Sequence, residues 1–108
     1  MYLDILIMRS VKTKPMSGAE IALHIGRTVG WKPSPGSVYP LLKKLEDNGF
    51  VFFSKQKKKK LYSLTMKGAE YLEKLEKEEF ISHFEQQFTM FKSLSEEEDV
   101  AGKGVKGK

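Results

Sequence analysis

The hydrophobic positions between Pro33 and Gly49 repeat with the period of an amphipathic helix. Four apolar residues follow the spacing i, i+3, i+4 and i+7, namely Val38, Leu41, Leu42 and Leu45. At 100° per residue they form one stripe that faces a core. Ser34 and Ser37 can cap the start of the helix, and Asn48-Gly49 supplies a left-handed stop. The sequence therefore predicts a helix of about three turns with both ends defined.

The opposite face of this helix is polar and basic. It carries small residues, hydroxyl groups and lysines, namely Gly36, Ser37, Tyr39, Pro40, Lys43 and Lys44. Apart from Asp47 near its end this face has no acid, so it suits a groove of nucleic acid. An ordinary amphipathic helix with solvated lysines has the same pattern, and the helix alone does not separate the two readings.

A basic hairpin is predicted directly after this helix. Phe50–Phe53 and Lys60–Leu64 are two β-prone runs. The hairpin holds five lysines in and around its polar connection, namely Lys55, Lys57, Lys58, Lys59 and Lys60. A helix that leads into a hairpin with a cationic tip is typical of a winged helix, which favours the nucleic-acid interpretation.

The first predicted helix, Tyr2–Ser10, is nearly all apolar. A helix that is apolar all round is buried on more than one side. We therefore expect it to be covered both by its own core and by a second subunit, with Tyr2, Ile5 and Leu6 in the interface. A simple core helix is the alternative.

A second helix is predicted from the capping box that Ser17 forms with Glu20. His24 lies in this helix without a second ligand at a metal spacing, since the only other histidine is His83, so no metal site is expected. Trp31 follows in the turn, and we expect it to cover the core. An exposed stacking surface is the alternative for Trp31.

A long C-terminal helix is predicted from Thr65 to Leu94, on the order of 45 Å at 1.5 Å per residue. One of its stripes is strongly aromatic and contains Phe80, Ile81, Phe84, Phe88, Phe91 and Leu94. Burial of each such side chain is worth roughly 1.5–3 kcal/mol, so the stripe is expected to be covered. A second copy of the chain is the simplest cover, and folding back onto its own domain is the alternative.

The formal charge of +5 is unevenly distributed along the chain. Residues 1–64 hold twelve Lys or Arg and four Asp or Glu, a net charge of +8, whereas residues 65–99 hold four and ten, a net of −6. The basic field therefore belongs to the helix-and-hairpin half, for which a polyanion is the expected partner. Residues 96–108 begin with acids and end in glycine and lysine, and a disordered tail is expected there.

Catalytic and membrane functions find no support in the sequence. The chain has no cysteine, two distant histidines and no glycine-rich phosphate loop after a strand. No apolar run approaches the roughly 18 residues of a membrane span. We expect a non-enzymatic protein of the cytoplasm that needs no cofactor and no metal.

Three motifs and the apolar first helix resemble those of PadR-type winged-helix transcriptional regulators. The motifs are MSGAEIALHI at Met16–Ile25, PSPGSVYPLLKKLEDNGFV at Pro33–Val51 and KLYSLTMKGAEYL at Lys60–Leu72. The resemblance spans roughly residues 2–75. One difference is that the wing is lysine-only, where the family usually has glycines or arginines.

The resemblance implies a mainly α fold with a small β-hairpin. A winged helix-turn-helix DNA-binding domain would occupy residues 1–64, a long C-terminal dimerisation helix residues 65–95, and the tail residues 96–108. Family members act as homodimers on double-stranded DNA, and they often respond to small aromatic molecules near the dimer interface.

We therefore expect a homodimeric, sequence-specific regulator, more specifically a repressor. The expected DNA-binding residues are Ser34, Ser37, Tyr39, Pro40, Lys43, Lys44, Lys55, Lys57, Lys58, Lys59 and Lys60. The expected dimerisation residues are Tyr2, Ile5, Leu6, Phe80, Ile81, Phe84, Phe88 and Phe91. Changes at Ser37 or Tyr39 should alter sequence preference, whereas changes in the wing should weaken all DNA alike. The alternatives are a module that docks on an acidic protein surface and, less favoured, an RNA-binding protein.

Overall fold

The computed structural model describes residues 2–103, and it describes side chains for residues 2–90. The elements in chain order are α1 (Tyr2–Thr13), α2 (Gly18–Val29), α3 (Pro35–Asp47), β1 (Val51–Gln56), β2 (Lys59–Leu64) and α4 (Met66–Lys103). The predicted mainly α fold with one β-hairpin is confirmed. The chain divides into two units, residues 1–75 and the remainder, which consists mostly of the later part of α4.

The ends of α2 and α3 follow local sequence signals. The Ser17 hydroxyl accepts a hydrogen bond from Glu20 N at 3.2 Å, and Ser17 N donates to Glu20 Oε1 at 2.9 Å, which confirms the predicted capping box. At the end of α3, Gly49 has a φ of 78°. Gly49 N donates to Glu46 O and Phe50 N donates to Leu45 O, both at 2.9 Å, so the helix ends in a Schellman motif.

The core of the first unit is formed by the apolar sides of the three N-terminal helices, with β1, β2 and the start of α4. Its fully buried apolar side chains are Ile7, Met8, Ile21, Ile25, Pro33, Val38, Leu42, Val51 and Leu72. Ile5 and Leu6, expected in a dimer interface, are only 7% and 5% exposed in the single chain. Their own core therefore accounts for most of their burial, whereas Tyr2 is 51% exposed.

The hairpin is antiparallel, and its register runs from Val51 opposite Leu64 to Gln56 opposite Lys59. The turn residue Lys57 adopts a left-handed φ of 57°. A backbone bridge joins the hairpin to the connection between α1 and α2. Met16 N donates to Tyr62 O at 3.1 Å, and Tyr62 N donates to Met16 O at 2.7 Å. The wing is therefore fixed to the helices by hydrogen bonds as well as by packing.

The junction between α3, the hairpin and α4 depends on Thr65 and Gly68. The Thr65 hydroxyl caps α4 by accepting from Gly68 N at 2.9 Å, and it lies 2.7 Å from the carbonyl oxygen of Gly49. Thr65 N donates to Phe50 O at 3.0 Å. A Cβ at position 68 would overlap the Phe50 carbonyl oxygen. Only glycine therefore allows the first turn of α4 to approach the end of α3 so closely.

Helix α4 is longer than the sequence predicted. It extends to Lys103 rather than ending at Leu94, so residues 96–103, for which a disordered tail was expected, are helical. The three consecutive glutamates Glu96–Glu98 are good helix formers and carry the helix forward. Residues 104–108 of the expected tail lie outside the described residues.

We predict that Gly68→Ala lowers the free energy of unfolding by about 1–3 kcal/mol, because the added methyl group must displace the Phe50 carbonyl. Urea unfolding followed by circular dichroism measures the change. The matched control is Gly36→Ala, because a Cβ at position 36 would meet only Ser34 Oγ, at 3.8 Å. Equal stability of Gly68→Ala and the wild-type protein would contradict the packing described for this junction.

Candidate nucleic-acid interface

The polar face of α3 is exposed along its whole length. All six side chains that were predicted to contact DNA from this helix and its cap are exposed, namely Ser34, Ser37, Tyr39, Pro40, Lys43 and Lys44. On the opposite side Val38, Leu42 and Leu45 are buried, and Leu41 is half-buried. The core thus holds α3 by one face and leaves the basic face open.

The first turn of α3 presents two exposed hydroxyl groups, those of Ser34 and Ser37. Ser34 occupies the cap position, but its side chain makes no capping hydrogen bond. The backbone carbonyl of Ser34 accepts instead from Ser37 N and Val38 N, at 3.0 and 3.1 Å. The hydroxyls of Ser34 and Ser37 lie 3.3 Å apart at the surface. Either hydroxyl can therefore turn to an external partner without uncapping the helix.

Of the two α3 lysines, Lys43 is paired within the chain. Its Nζ lies 3.0 Å from Asp47 Oδ1, one helical turn away, and both side chains are exposed. The hydrogen bond from Lys43 to Asp47 raises the pKa of Lys43, so the lysine stays charged. Such an exposed pair is weak and readily exchanged. Lys43 can therefore leave Asp47 for a stronger anion such as a phosphate.

All five wing lysines are exposed, but their surroundings differ. Lys59 Nζ donates to Glu20 Oε2 of α2 at 3.3 Å. Lys60 Nζ lies 4.4 Å from the centroid of the Phe53 ring, a cation–π distance. Within the part of the chain whose side chains are described, Lys55, Lys57 and Lys58 form no ion pair. Among the five wing lysines, these three are therefore the most readily available to bind an external anion.

Glu20 is a member of this surface that sequence reasoning missed. The pattern assigned it only to the capping box, because Lys59 lies 39 residues further along the chain. Its hydrogen bond from Ser17 N and its contact with Lys59 lower the pKa of Glu20, so it carries a negative charge at neutral pH. One oxygen therefore caps α2 while the other holds the wing.

For Trp31 the expectation from the sequence is wrong, and for His24 the structure adds a contact that the sequence did not predict. Trp31 was expected to cover the core, but it is 54% exposed, because the apolar stripes of the helices fill the core without it. His24 is half-buried in the first unit, and its Nδ1 lies 2.9 Å from Ser10 Oγ. Ser10 Oγ also donates to Leu6 O at 2.9 Å, so His24 Nδ1 is the donor to Ser10. His24 thus satisfies a buried hydroxyl.

The aromatic stripe of α4 is exposed in the single chain. Phe80, Ile81, Phe84 and Phe88 are 53–70% exposed. Phe84 and Phe88 stack on each other with ring centroids 6.5 Å apart, one turn apart along the helix. The side chain of Phe91, the last predicted dimerisation residue, lies outside the described residues.

The order of three helices, a two-stranded wing and a further helix, with α3 exposing a basic face, is the winged-helix arrangement. A winged-helix DNA-binding protein from STIV has this fold, with a TM-score of 0.62, 21% identity and matches covering 70% of this chain and 84% of that one. The chain is therefore a winged-helix protein.

Sequence comparison then identifies the family. The model of the transcriptional regulator PadR-like family matches residues 7–74. The chain belongs to this family, and it is a winged-helix DNA-binding transcriptional regulator. The resemblance seen in the sequence motifs is confirmed.

Solved structures of the family are similar to this chain. A PadR family transcription regulator from hypervirulent Clostridium difficile is 29% identical, with a TM-score of 0.68 and matches covering 82% of this chain and 99% of that chain. Bacillus subtilis PadR in complex with operator DNA is also 29% identical, with a TM-score of 0.65; the match covers 69% of this chain but only 46% of that chain. No curated protein matches the chain significantly.

The described residues lack two features that would indicate other classes of function, a membrane-spanning helix and a metal cluster. Within the described residues no helix is both long and apolar enough to cross a membrane. Over the same residues, no three His, Asp or Glu side chains are grouped as they would be around a metal ion.

We predict that Glu20→Gln strengthens binding to random-sequence duplex DNA at low salt. Glutamine can retain the capping hydrogen bond, but it releases Lys59 from its ion pair for a phosphate. The slope of log affinity against log salt should become steeper by about 0.9, the value for one added phosphate contact. Fluorescence anisotropy titrations at several salt concentrations measure the slope.

The control for this variant is Glu85→Gln on α4, which removes the same charge outside the candidate interface. It should leave the slope unchanged. The same slope for Glu20→Gln as for the wild-type protein would contradict the view that Glu20 withholds Lys59 from nucleic acid.

Proposed function

We propose that this protein is a homodimeric repressor that binds double-stranded DNA through α3 and the lysine-rich wing. The observation that carries the proposal is the exposed face of α3. Its hydroxyls and lysines are open to solvent, while its apolar stripe is buried in a unit that also anchors the wing. A face held in this way can enter the major groove without disturbing the core.

Within this proposal α3 and the wing have different tasks. Ser37 and Pro40 on the first half of α3 meet base edges, and Lys43 and Lys44 meet the flanking phosphates. The lysines of the wing hold the adjacent backbone or minor groove. Because lysine is a point charge on a flexible stem, the wing adds affinity but little sequence preference.

The dimer in this proposal is formed through the aromatic stripe of α4, with a contribution from α1. Of the interface residues predicted from the sequence, the proposal keeps Tyr2, Phe80, Ile81, Phe84, Phe88 and Phe91. Ile5 and Leu6 support the interface from beneath, because their own core already buries them in the single chain. Exposed phenylalanines at one-turn spacing support this assignment, because a second copy would remove them from water at a gain of roughly 1.5–3 kcal/mol per ring. A two-fold dimer then reads two half-sites about one helical turn of DNA apart.

The proposed dimer needs only to occupy its DNA site to act as a repressor. A dimer bound across a promoter blocks transcription by occupying the site, which is a repressor's action and requires no catalysis. We place the protein in the cytoplasm, where it meets DNA. A small aromatic effector bound beside the phenylalanines of α4 is a dependent proposal, and a rise in melting temperature with an aromatic ligand tests it.

We predict that the double variant Lys57→Gln, Lys58→Gln binds duplex DNA more weakly, with a slope of log affinity against log salt that is shallower by about two units. The reason is that each neutralised phosphate releases close to one counterion. Titrations at several salt concentrations measure both quantities.

The matched control is Lys74→Gln, Lys77→Gln, which removes the same charge from α4. An unchanged slope for the wing variant would contradict the role of the wing. If the wild-type protein bound an acidic protein surface but no duplex DNA at low salt, the proposal would give way to a protein-interaction module.

We predict that Phe84→Glu converts a dimer into a monomer, because a charge placed in an apolar interface must be buried without a partner. Light scattering coupled to gel filtration measures the mass. Gln86→Glu adds the same charge two residues away and serves as the control, which should remain dimeric. A monomeric wild-type protein would contradict the proposed assembly.

A further inference from the structure

A groove of about 330 Å³ lies where α2, α3 and the wing meet. Its walls include the first residues of α2, the Tyr39 side chain from α3 and the wing lysines Lys58, Lys59 and Lys60, and Tyr62 of β2 also lines it. The groove therefore combines two phenol groups with three cations, all within the first unit of the chain.

The Tyr39 side chain lies back against α2. A Cβ at Gly18 would be 2.5 Å from Tyr39 Cε1 and 2.7 Å from its hydroxyl oxygen, so the ring rests on the Gly18 backbone. Only glycine at position 18 permits this contact. The hydroxyl thus lies at the groove, next to α2, although half of the side chain remains exposed.

Tyr62 contributes a second hydroxyl from a nearly buried side chain, which is 6% exposed. Within the described residues, no hydrogen bond engages this hydroxyl. Yet no buried side-chain oxygen or nitrogen lacks a partner there. The Tyr62 hydroxyl must therefore reach solvent, and the groove that Tyr62 lines is the opening for it.

Both hydroxyls suit the recognition of an anion. Burial, followed by the negative charge of Glu46 and the neighbouring Tyr39, raises the pKa of Tyr62, so this phenol stays protonated at neutral pH and can donate. Glu20 is bound to Lys59, and neither Glu20 nor Glu46 lines the groove. The charge of Glu46 does act on the Tyr62 phenol and opposes an anion there, but the three lysines that line the groove outnumber it. A group with several acceptor oxygens and negative charge fits these walls.

We propose that this groove binds one phosphate of the duplex DNA backbone, with the hydroxyls of Tyr39 and Tyr62 donating to it and Lys58 supplying the positive charge. The inference rests on the proposed DNA binding and extends it. It assigns Tyr39 to the phosphate, in place of the base-reading role expected from its position on α3. Because the groove joins α2, α3 and the wing, one phosphate seated there fixes the register of all three elements on the duplex.

The experiment compares Tyr39→Phe, Tyr62→Phe and the wild-type protein in titrations with two duplexes. One duplex is of random sequence, and the other is enriched by repeated selection with the wild-type protein. Each variant should bind both duplexes roughly tenfold more weakly, as expected for the loss of a hydrogen bond to a charged group. The preference between the two duplexes should stay unchanged, since phosphate contacts carry no base information.

Two further readouts separate this role from a structural one. The salt slope should not change, because a neutral phenol releases no counterion. The melting temperature of Tyr62→Phe should equal that of the wild-type protein, since the lost hydroxyl has no partner within the described residues. The control is Tyr71→Phe, whose ring stacks on Phe50 with centroids 4.2 Å apart and does not line the groove. It should bind both duplexes like the wild-type protein.

Three different results would each contradict a different claim: the phosphate site, the role of Tyr39, or DNA binding itself. If the wild-type protein binds duplex DNA and both phenylalanine variants bind it equally well, the phosphate site is absent while the proposed function stands. If Tyr39→Phe changes the preference between the two duplexes, Tyr39 reads a base. If the wild-type protein binds neither duplex, the proposed function itself fails.

Discussion

The pair of backbone hydrogen bonds between Met16 and Tyr62 determines how the basic surface is assembled. These bonds join β2 to the connection between α1 and α2, so a hairpin that would be only marginally stable alone is held against the helices. Placed there, Lys59 reaches Glu20 and Tyr62 reaches the groove beside Tyr39. The candidate interface therefore forms only when the wing is held against the helices, and neither the hairpin nor α3 would form it alone.

The candidate interface carries a high positive charge, and two of its lysines are held in ion pairs with acids. The N-terminal 64 residues carry a net charge of +8, which favours any polyanion regardless of sequence. Asp47 and Glu20 each hold one lysine of the surface, Lys43 and Lys59, in an exposed ion pair. Such pairs add little stability, but in the proposed complex a phosphate has to displace them, so we expect them to moderate binding to unspecific DNA.

Features fixed by residues close in sequence could be predicted from the sequence. The capping box of Ser17 and Glu20 spans three residues, and the Schellman end at Gly49 depends on one glycine. Features that join distant segments could not be predicted. Glu20 meets Lys59 across 39 residues, and the ring of Tyr39 rests on Gly18 only after α2 and α3 have packed. The exposure of Trp31 likewise depends on how completely other side chains fill the core.

The most direct test of the central claim is a hydroxyl-radical footprint of the wild-type protein on a duplex selected from a random pool. A dimer of winged helices should give two protected segments related by two-fold symmetry, with centres roughly 10 base pairs apart. A single protected segment would contradict the dimer, and an unprotected duplex would contradict DNA recognition by α3 and the wing.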